Sequence, residues 1–141
     1  MSRRIASIGL AVLLVAAAVA SAATTVKAPK DGSTYEGKAP RDVVLRVAGR
    51  SVEIVAFSFP CGDVSGRTSL NDFPLKRTPK GYRFNADATG IVTYSDDQGD
   101  ENAKAHISGR FALDAKKVRG HLRVRSKRCG DTGDLRWRAA R

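Results

Sequence analysis

Along three stretches near its C-terminus the chain alternates apolar or small residues with basic or polar ones at a period of two. Lys104-Ala105-His106-Ile107-Ser108-Gly109-Arg110-Phe111 is the first, Val118-Arg119-Gly120-His121-Leu122-Arg123-Val124-Arg125 the second, and Leu135-Arg136-Trp137-Arg138 the third. Successive side chains of a strand point to opposite faces, so the pattern predicts β-strands with one buried and one wet face. Apart from the first segment, no window repeats apolar residues at i, i+3, i+4 and i+7, so helix is expected to be scarce.

The first segment stands apart. Ser2-Arg3-Arg4 is a short positive start, residues 5–19 form a continuous apolar stretch, and Ala20-Ser21-Ala22 offers small residues where a signal peptidase reads. Residues 1–22 are therefore expected to be a cleaved signal peptide. The apolar stretch is shorter than the roughly 20 residues a spanning helix needs, and no cysteine follows it to carry a lipid. The expectation is a secreted protein, extracellular or envelope-associated, with no transmembrane segment in the mature chain. Residues 23–34, polar with Pro29 and Gly32, read as a flexible N-terminal arm, and residues 35–141 as one β domain.

Charge is regional. The chain carries 25 Lys and Arg against 14 Asp and Glu, and Arg3 and Arg4 leave with the first segment. Residues 103–141 hold twelve basic and three acidic residues, whereas residues 23–102 balance at eleven of each. Such a distribution puts a positive field over one surface. The two cysteines, Cys61 and Cys129, are an even count in an exported chain, with neither a CxxC pair nor a histidine cluster beside them. A structural disulfide is expected, and no metal site or cofactor.

Upstream of the alternating stretches, short apolar runs are separated by turn residues. Val43-Val44-Leu45-Arg46-Val47 reads as a strand that turns at Ala48-Gly49-Arg50. Residues 52–59 read as another, with Val55, Phe57 and Phe59 on one face and Pro60 ending it. Residues 62–79, rich in Gly, Ser, Asp and Pro, read as a long loop. Tyr82-Arg83-Phe84 starts a further strand, Asp87-Ala88-Thr89-Gly90 reads as a turn, and residues 91–94 resume. Seven to nine short strands predict an all-β, antiparallel sandwich or small barrel.

Facing residues of an antiparallel pair share a face, which limits the register of the first two alternating stretches. A tight connection through Asp114-Ala115-Lys116-Lys117 would pair Leu113 with Val118. It would set His121 against Arg110, Arg123 against Ser108 and Arg125 against His106. The two histidines would then lie roughly 13 Å apart along the strands, too far to act on one phosphate as acid and base. No nucleophile-elbow motif accompanies them, so no catalytic residues are assigned. The run Asp96-Asp97-Gln98-Gly99-Asp100-Glu101-Asn102 lacks the spacing of a calcium loop and reads as a polar connection, set electrostatically near the basic face.

The basic face carries the chemistry that is left. Lys104, Arg110, Arg119, Arg123, Arg125, Arg136 and Arg138 should project from neighbouring strands. Guanidinium forks match carboxylate and phosphate geometry, so an anionic cell-wall polymer or polysaccharide is the expected partner. Nucleic acid is not favoured, because Phe111 and Trp137 fall on the core side and cannot interleave with the arginines. A monomer is expected. Two other readings compete: a protein-binding or inhibitor module presenting the 62–79 loop, and a small hydrolase built on the histidines.

The ending Cys129-Gly130-Asp131-Thr132-Gly133, followed by Arg136-Trp137-Arg138-Ala139, with Tyr35-Glu36-Gly37 early in the chain, resembles a group of small exported proteins of high-GC bacteria. Their shared features are a C-x-x-TG-x-x-x-W type of ending, an earlier lone cysteine and an early Y-x-G. This chain has Leu122 where an aromatic is common in that group. The resemblance implies a single β domain with a disulfide, and implies no activity, cofactor or partner.

Overall fold

A computed structural model describes residues 22–38 and 40–141, so the expected signal peptide falls almost wholly outside the described residues. The chain folds into nine strands: β1 Thr34–Gly37, β2 Val43–Ala48, β3 Ser51–Cys61, β4 Val64–Pro74, β5 Arg83–Tyr94, β6 Glu101–Phe111, β7 Lys117–Ser126, β8 Gly130–Asp131 and β9 Leu135–Ala140. No helix occurs among the described residues. Every pairing is antiparallel. Neighbours in sequence are neighbours in space from β1 to β7, then β7 pairs with β9 and β9 with β1. The result is a closed barrel, with the short β8 laid against the remaining edge of β7 at Arg125 and Ser126.

Closure follows from the alternation. The inward residues of each strand meet in one core, in which Tyr35, Leu45, Phe59, Ile107, Phe111 and Leu122 are all but inaccessible to water. An eight-stranded barrel encloses a space that side chains can fill, and these do. Each such side chain contributes roughly 1.5–3 kcal/mol by leaving water. Tyr35 meets Phe111 edge-on at 5.1 Å between ring centres, and its buried hydroxyl donates to the Ala115 carbonyl at 2.5 Å. Part of the N-terminal arm is held to the barrel: the Lys27 N–H donates to the Leu113 carbonyl at 2.8 Å and Pro29 is buried.

Four local expectations need correction. The 62–79 segment is not a loop, since β4 occupies most of it and pairs along β3 from Cys61↔Val64 to Ser51↔Pro74. After Val64 its next inward positions are Gly66 and Thr68, too small or polar to read as apolar. A Cβ on Gly66 would lie 2.4 Å from the Phe59 ring, and the Thr68 hydroxyl donates to the Ile91 carbonyl at 2.7 Å. Residues 87–90 are not a turn, because β5 runs unbroken and its inward residues there are Ala88 and Gly90. Pro60 lies inside β3. The ladder with β2 stops at Val43↔Phe57, so the missing N–H of Pro60 falls on an unpaired edge.

The β6–β7 register is also shifted by two residues. Phe111, not Leu113, faces Val118. The turn keeps residues 113–116 out of the ladder: Ala115 takes a left-handed φ of 57°, and Ala112 N–H donates to the Lys117 carbonyl at 2.8 Å. The faces stay as expected, but the partners change. Arg110 faces Arg119, Ser108 faces His121, His106 faces Arg123, and Lys104 faces Arg125.

Candidate functional site

With this register, the outer face of β5, β6, β7 and β9 carries residues in cross-strand rows. The first is Arg83–Arg110–Arg119–Arg138, each member directly opposite the next. Two residues along, across the strands, runs Asn85–Ser108–His121–Arg136. Between them lies the inward row Phe84–Gly109–Gly120–Trp137. The outer surface is hollowed along this middle row into a groove of about 710 Å³, with the arginines as one wall and the polar row as the other.

The middle row points inward, and its two glycines are packed tightly beneath the hollow. A Cβ on Gly109 would lie 2.4 Å from the Phe84 ring and 3.0 Å from the Trp137 ring, and one on Gly120 only 1.8 Å from the Ser108 carbonyl oxygen. The floor is therefore bare backbone above two buried rings, whose centres are 6.2 Å apart. The Trp137 indole N–H donates to the His121 carbonyl at 3.3 Å, which ties the ring beneath the floor to the strand above it.

Adjacent strands are about 4.8 Å apart, so the arginine row stacks like charges at close quarters. No carboxylate among the described residues lies within ion-pair distance of Arg83, Arg110 or Arg119. Facing like charges destabilise a sheet by a few tenths of a kcal/mol per pair. The strands hold Arg83, Arg110 and Arg119 on one exposed line with no carboxylate among the described residues at ion-pair distance.

Arg123 and Arg125, farther along the same face, are compensated. Asp131, brought by β8 to face Arg125, accepts from Arg123 Nε at 2.8 Å and Nη2 at 2.5 Å and from Arg125 Nε at 2.9 Å. The Arg123 guanidinium first, then the Gly133 N–H and Arg125, hold the Asp131 carboxyl well below the usual carboxylate range. Of the residues expected on this face, Arg110, Arg119 and Arg138 thus join one row, Arg136 the next, and Arg123 and Arg125 share a carboxylate. Lys104, opposite Arg125, stays exposed. Arg83 belongs to the row and was not anticipated. The alternation of Tyr82-Arg83-Phe84 puts it outside, but only the β5–β6 register sets it against Arg110.

The histidines are closer than expected. The register makes them diagonal neighbours, a separation of about 7–8 Å between backbones, so distance no longer divides them. Their partners do. His106 Nδ1 pairs with Asp87 at 2.8 Å on the β5 side, and His121 Nδ1 with Asp134 at 2.8 Å on the β9 side. They open into different grooves, His121 into that of the arginine row and His106 into a second one of about 560 Å³ beside Lys104 and Arg125.

The acidic connection does meet a basic element, away from the row. Asp96 pairs with Arg128, whose guanidinium lies 4.4 Å from the Tyr94 ring centre. Glu101 accepts from the Tyr94 hydroxyl and from the Lys127 and Arg128 N–H groups at 3.2 and 3.1 Å. The Tyr94 and Arg128 hydrogen bonds respectively lead the lowering of the Glu101 and Asp96 carboxyl pKa values. With Asp131, three carboxyls are thus lower in the folded than in the unfolded chain. Their stabilising contribution is complete above the unfolded pKa near 4 and is lost as pH falls through the folded values. Thermal melts should change little in this respect from pH 7 to 5 and drop below pH 4. Asp131→Asn should lower the melting point at pH 7 and cost less at pH 2; an equal loss at both would show that ionisation is not the cause.

Compared with known proteins, the chain matches no family model, no curated protein and no solved structure. No group of three or more His, Cys, Asp or Glu among the described residues is placed to hold a metal ion. No helix among them is long and apolar enough to cross a membrane.

Proposed function

We propose that this chain is an exported, non-enzymatic β-barrel domain that adheres to an anionic polymer or envelope surface through the outer face of β5, β6, β7 and β9. The observation that carries the reading is the arginine row, in which Arg83, Arg110 and Arg119 face one another with no carboxylate at ion-pair distance among the described residues. A sheet that only needed a wet face would alternate signs across strands, as Arg46 on β2 and Glu53 on β3 do at 3.1 Å. A polyanion supplies the missing countercharge and releases its own counterions, so retention on it should fall steeply with salt. The disulfide fits an oxidising compartment. The inhibitor reading has lost its presented element, since β4 takes up the segment it relied on.

The test compares two charge reversals of equal size. Arg110→Glu with Arg119→Glu should abolish salt-dependent retention on an acidic polymer. Arg50→Glu with Arg67→Glu, both exposed and away from the row, should elute almost as the parent does. Circular dichroism should show both folded. Because Arg110→Glu places an opposite charge across from Arg83, that single change should also stabilise the barrel by roughly 0.5 kcal/mol. If the two double variants elute alike, retention reflects net charge alone and the reading is wrong.

A further inference from the structure

We infer that the ligand of this face is a linear, carboxylate-bearing polysaccharide, laid across the strands in the glycine-floored groove with about one sugar ring per strand. This rests on the basic-face reading and narrows it to a class of polymer. The groove has two unlike walls. One offers a guanidinium on each strand, at Arg83, Arg110 and Arg119. The other offers hydrogen-bonding groups on the same strands, the Asn85 amide, the Ser108 hydroxyl and the His121 imidazole, whose Nδ1 is taken by Asp134 so that Nε2 remains for a ligand, and it ends in Arg136 on β9. Each strand therefore presents one cation and one hydroxyl partner, repeated every strand spacing of about 4.8 Å.

A bare phosphate chain can meet the second wall only as an acceptor, through the same anionic oxygens that the guanidiniums hold. A sugar acid uses both, with the carboxylate on the guanidinium fork and ring hydroxyls against the amide, hydroxyl and imidazole. An extended 1,4-linked pyranose chain advances by nearly one strand spacing per ring, and because successive rings turn over, carboxylates of alternate rings reach Arg83 and Arg119 while the ring between them turns hydroxyls to Arg110. The floor is backbone of the inward row, with the Phe84 and Trp137 rings buried beneath it. Unpaired nucleobases have no exposed aromatic ring to stack on there. A flat lipid headgroup surface would reach the arginines without entering the groove.

Titration calorimetry of the folded domain with polygalacturonate and with polyphosphate of matched charge tests this. Polygalacturonate should bind the more tightly, and Asn85→Ala with Ser108→Ala should weaken it by roughly tenfold while weakening polyphosphate much less. Arg110→Glu with Arg119→Glu should remove both. If polyphosphate binds at least as well and the polar-row variant changes neither, the polysaccharide assignment is overturned and the basic-face reading stands. If neither polymer binds the parent protein, both fall.

Discussion

Replacing Cys61 and Cys129 by serine should lower the stability of the barrel by about 4 kcal/mol and its melting temperature by about 15 °C. The two cysteines, with Cα atoms 5.0 Å apart, close a stretch of 68 residues. On the loop-entropy account this separation sets the magnitude, because the cross-link restricts the unfolded chain far more than the folded one. Folded-state geometry adds a second reason. In the ring β1–β2–β3–β4–β5–β6–β7–β9, the strands β3 and β7 lie opposite each other. Cys61 ends β3 and Cys129 follows β7, so the bond spans one mouth of the barrel. That mouth is also where β4 and β5 hold their ladder pairs, Gly66↔Tyr94 and Arg67↔Thr93. Hydrogen exchange in the variant should therefore rise first around Tyr94 and the β7–β8 turn. The arginine row lies toward the other end of β5, β6 and β7, so polymer retention below the melting point should persist. A variant that melts like the parent would show that the ladders close the barrel without the cross-link.

How far the sequence reveals this fold depends on what each inward position has to fill. In β6, β7 and β9 the outward residues are mostly charged or polar and the inward ones small or apolar, so the period of two is plain and the three strands are readable. In β4 and β5 the corresponding places are Gly66, Thr68, Ala86, Ala88 and Gly90. They are small because neighbours already occupy the space. The Phe59 ring lies over Gly66, and Thr68 and Leu70 lie over Gly90. A small residue that makes room for a ring looks, in sequence, like a turn or a loop. The site was half legible for a related reason. Parity settles which arginines share the outer face, but which of them face each other depends on the β6–β7 turn. One left-handed residue, Ala115, moves that pairing by two. The shift turned an expected Arg110–His121 contact into an arginine row, drew the histidines together and gave Arg123 to Asp131. Net charge was a poor guide to where carboxylates are lacking, because β8 and the β5–β6 connection return them to Arg123, Arg125 and Arg128.

The glycine floor should be intolerant of the smallest side chain. Gly120→Ala is expected to cost roughly 3–5 kcal/mol, enough to unfold much of the population at 37 °C if the parent has ordinary stability. The added methyl would lie 1.8 Å from the Ser108 carbonyl oxygen and 2.8 Å from the Gly109 Cα. Both are backbone atoms, so no rotamer change relieves the contact and β6 must move away from β7. That separation would strain the ladder from Lys104↔Arg125 to Phe111↔Val118 on which both walls of the groove stand. Gly109→Ala meets the Phe84 and Trp137 rings instead, which can shift slightly, so a smaller loss of about 1–3 kcal/mol is expected. Gly49→Ala is the contrasting case: its φ is 57° with open space around the added carbon, and only the left-handed backbone penalty of about 1–2 kcal/mol applies. Chemical denaturation of the three variants should rank them Gly120, Gly109, Gly49 from most to least damaging. If Gly120→Ala is as stable as Gly49→Ala, then β6 and β7 do not approach as closely as described, and the trough that separates the arginine wall from the polar wall loses its structural basis.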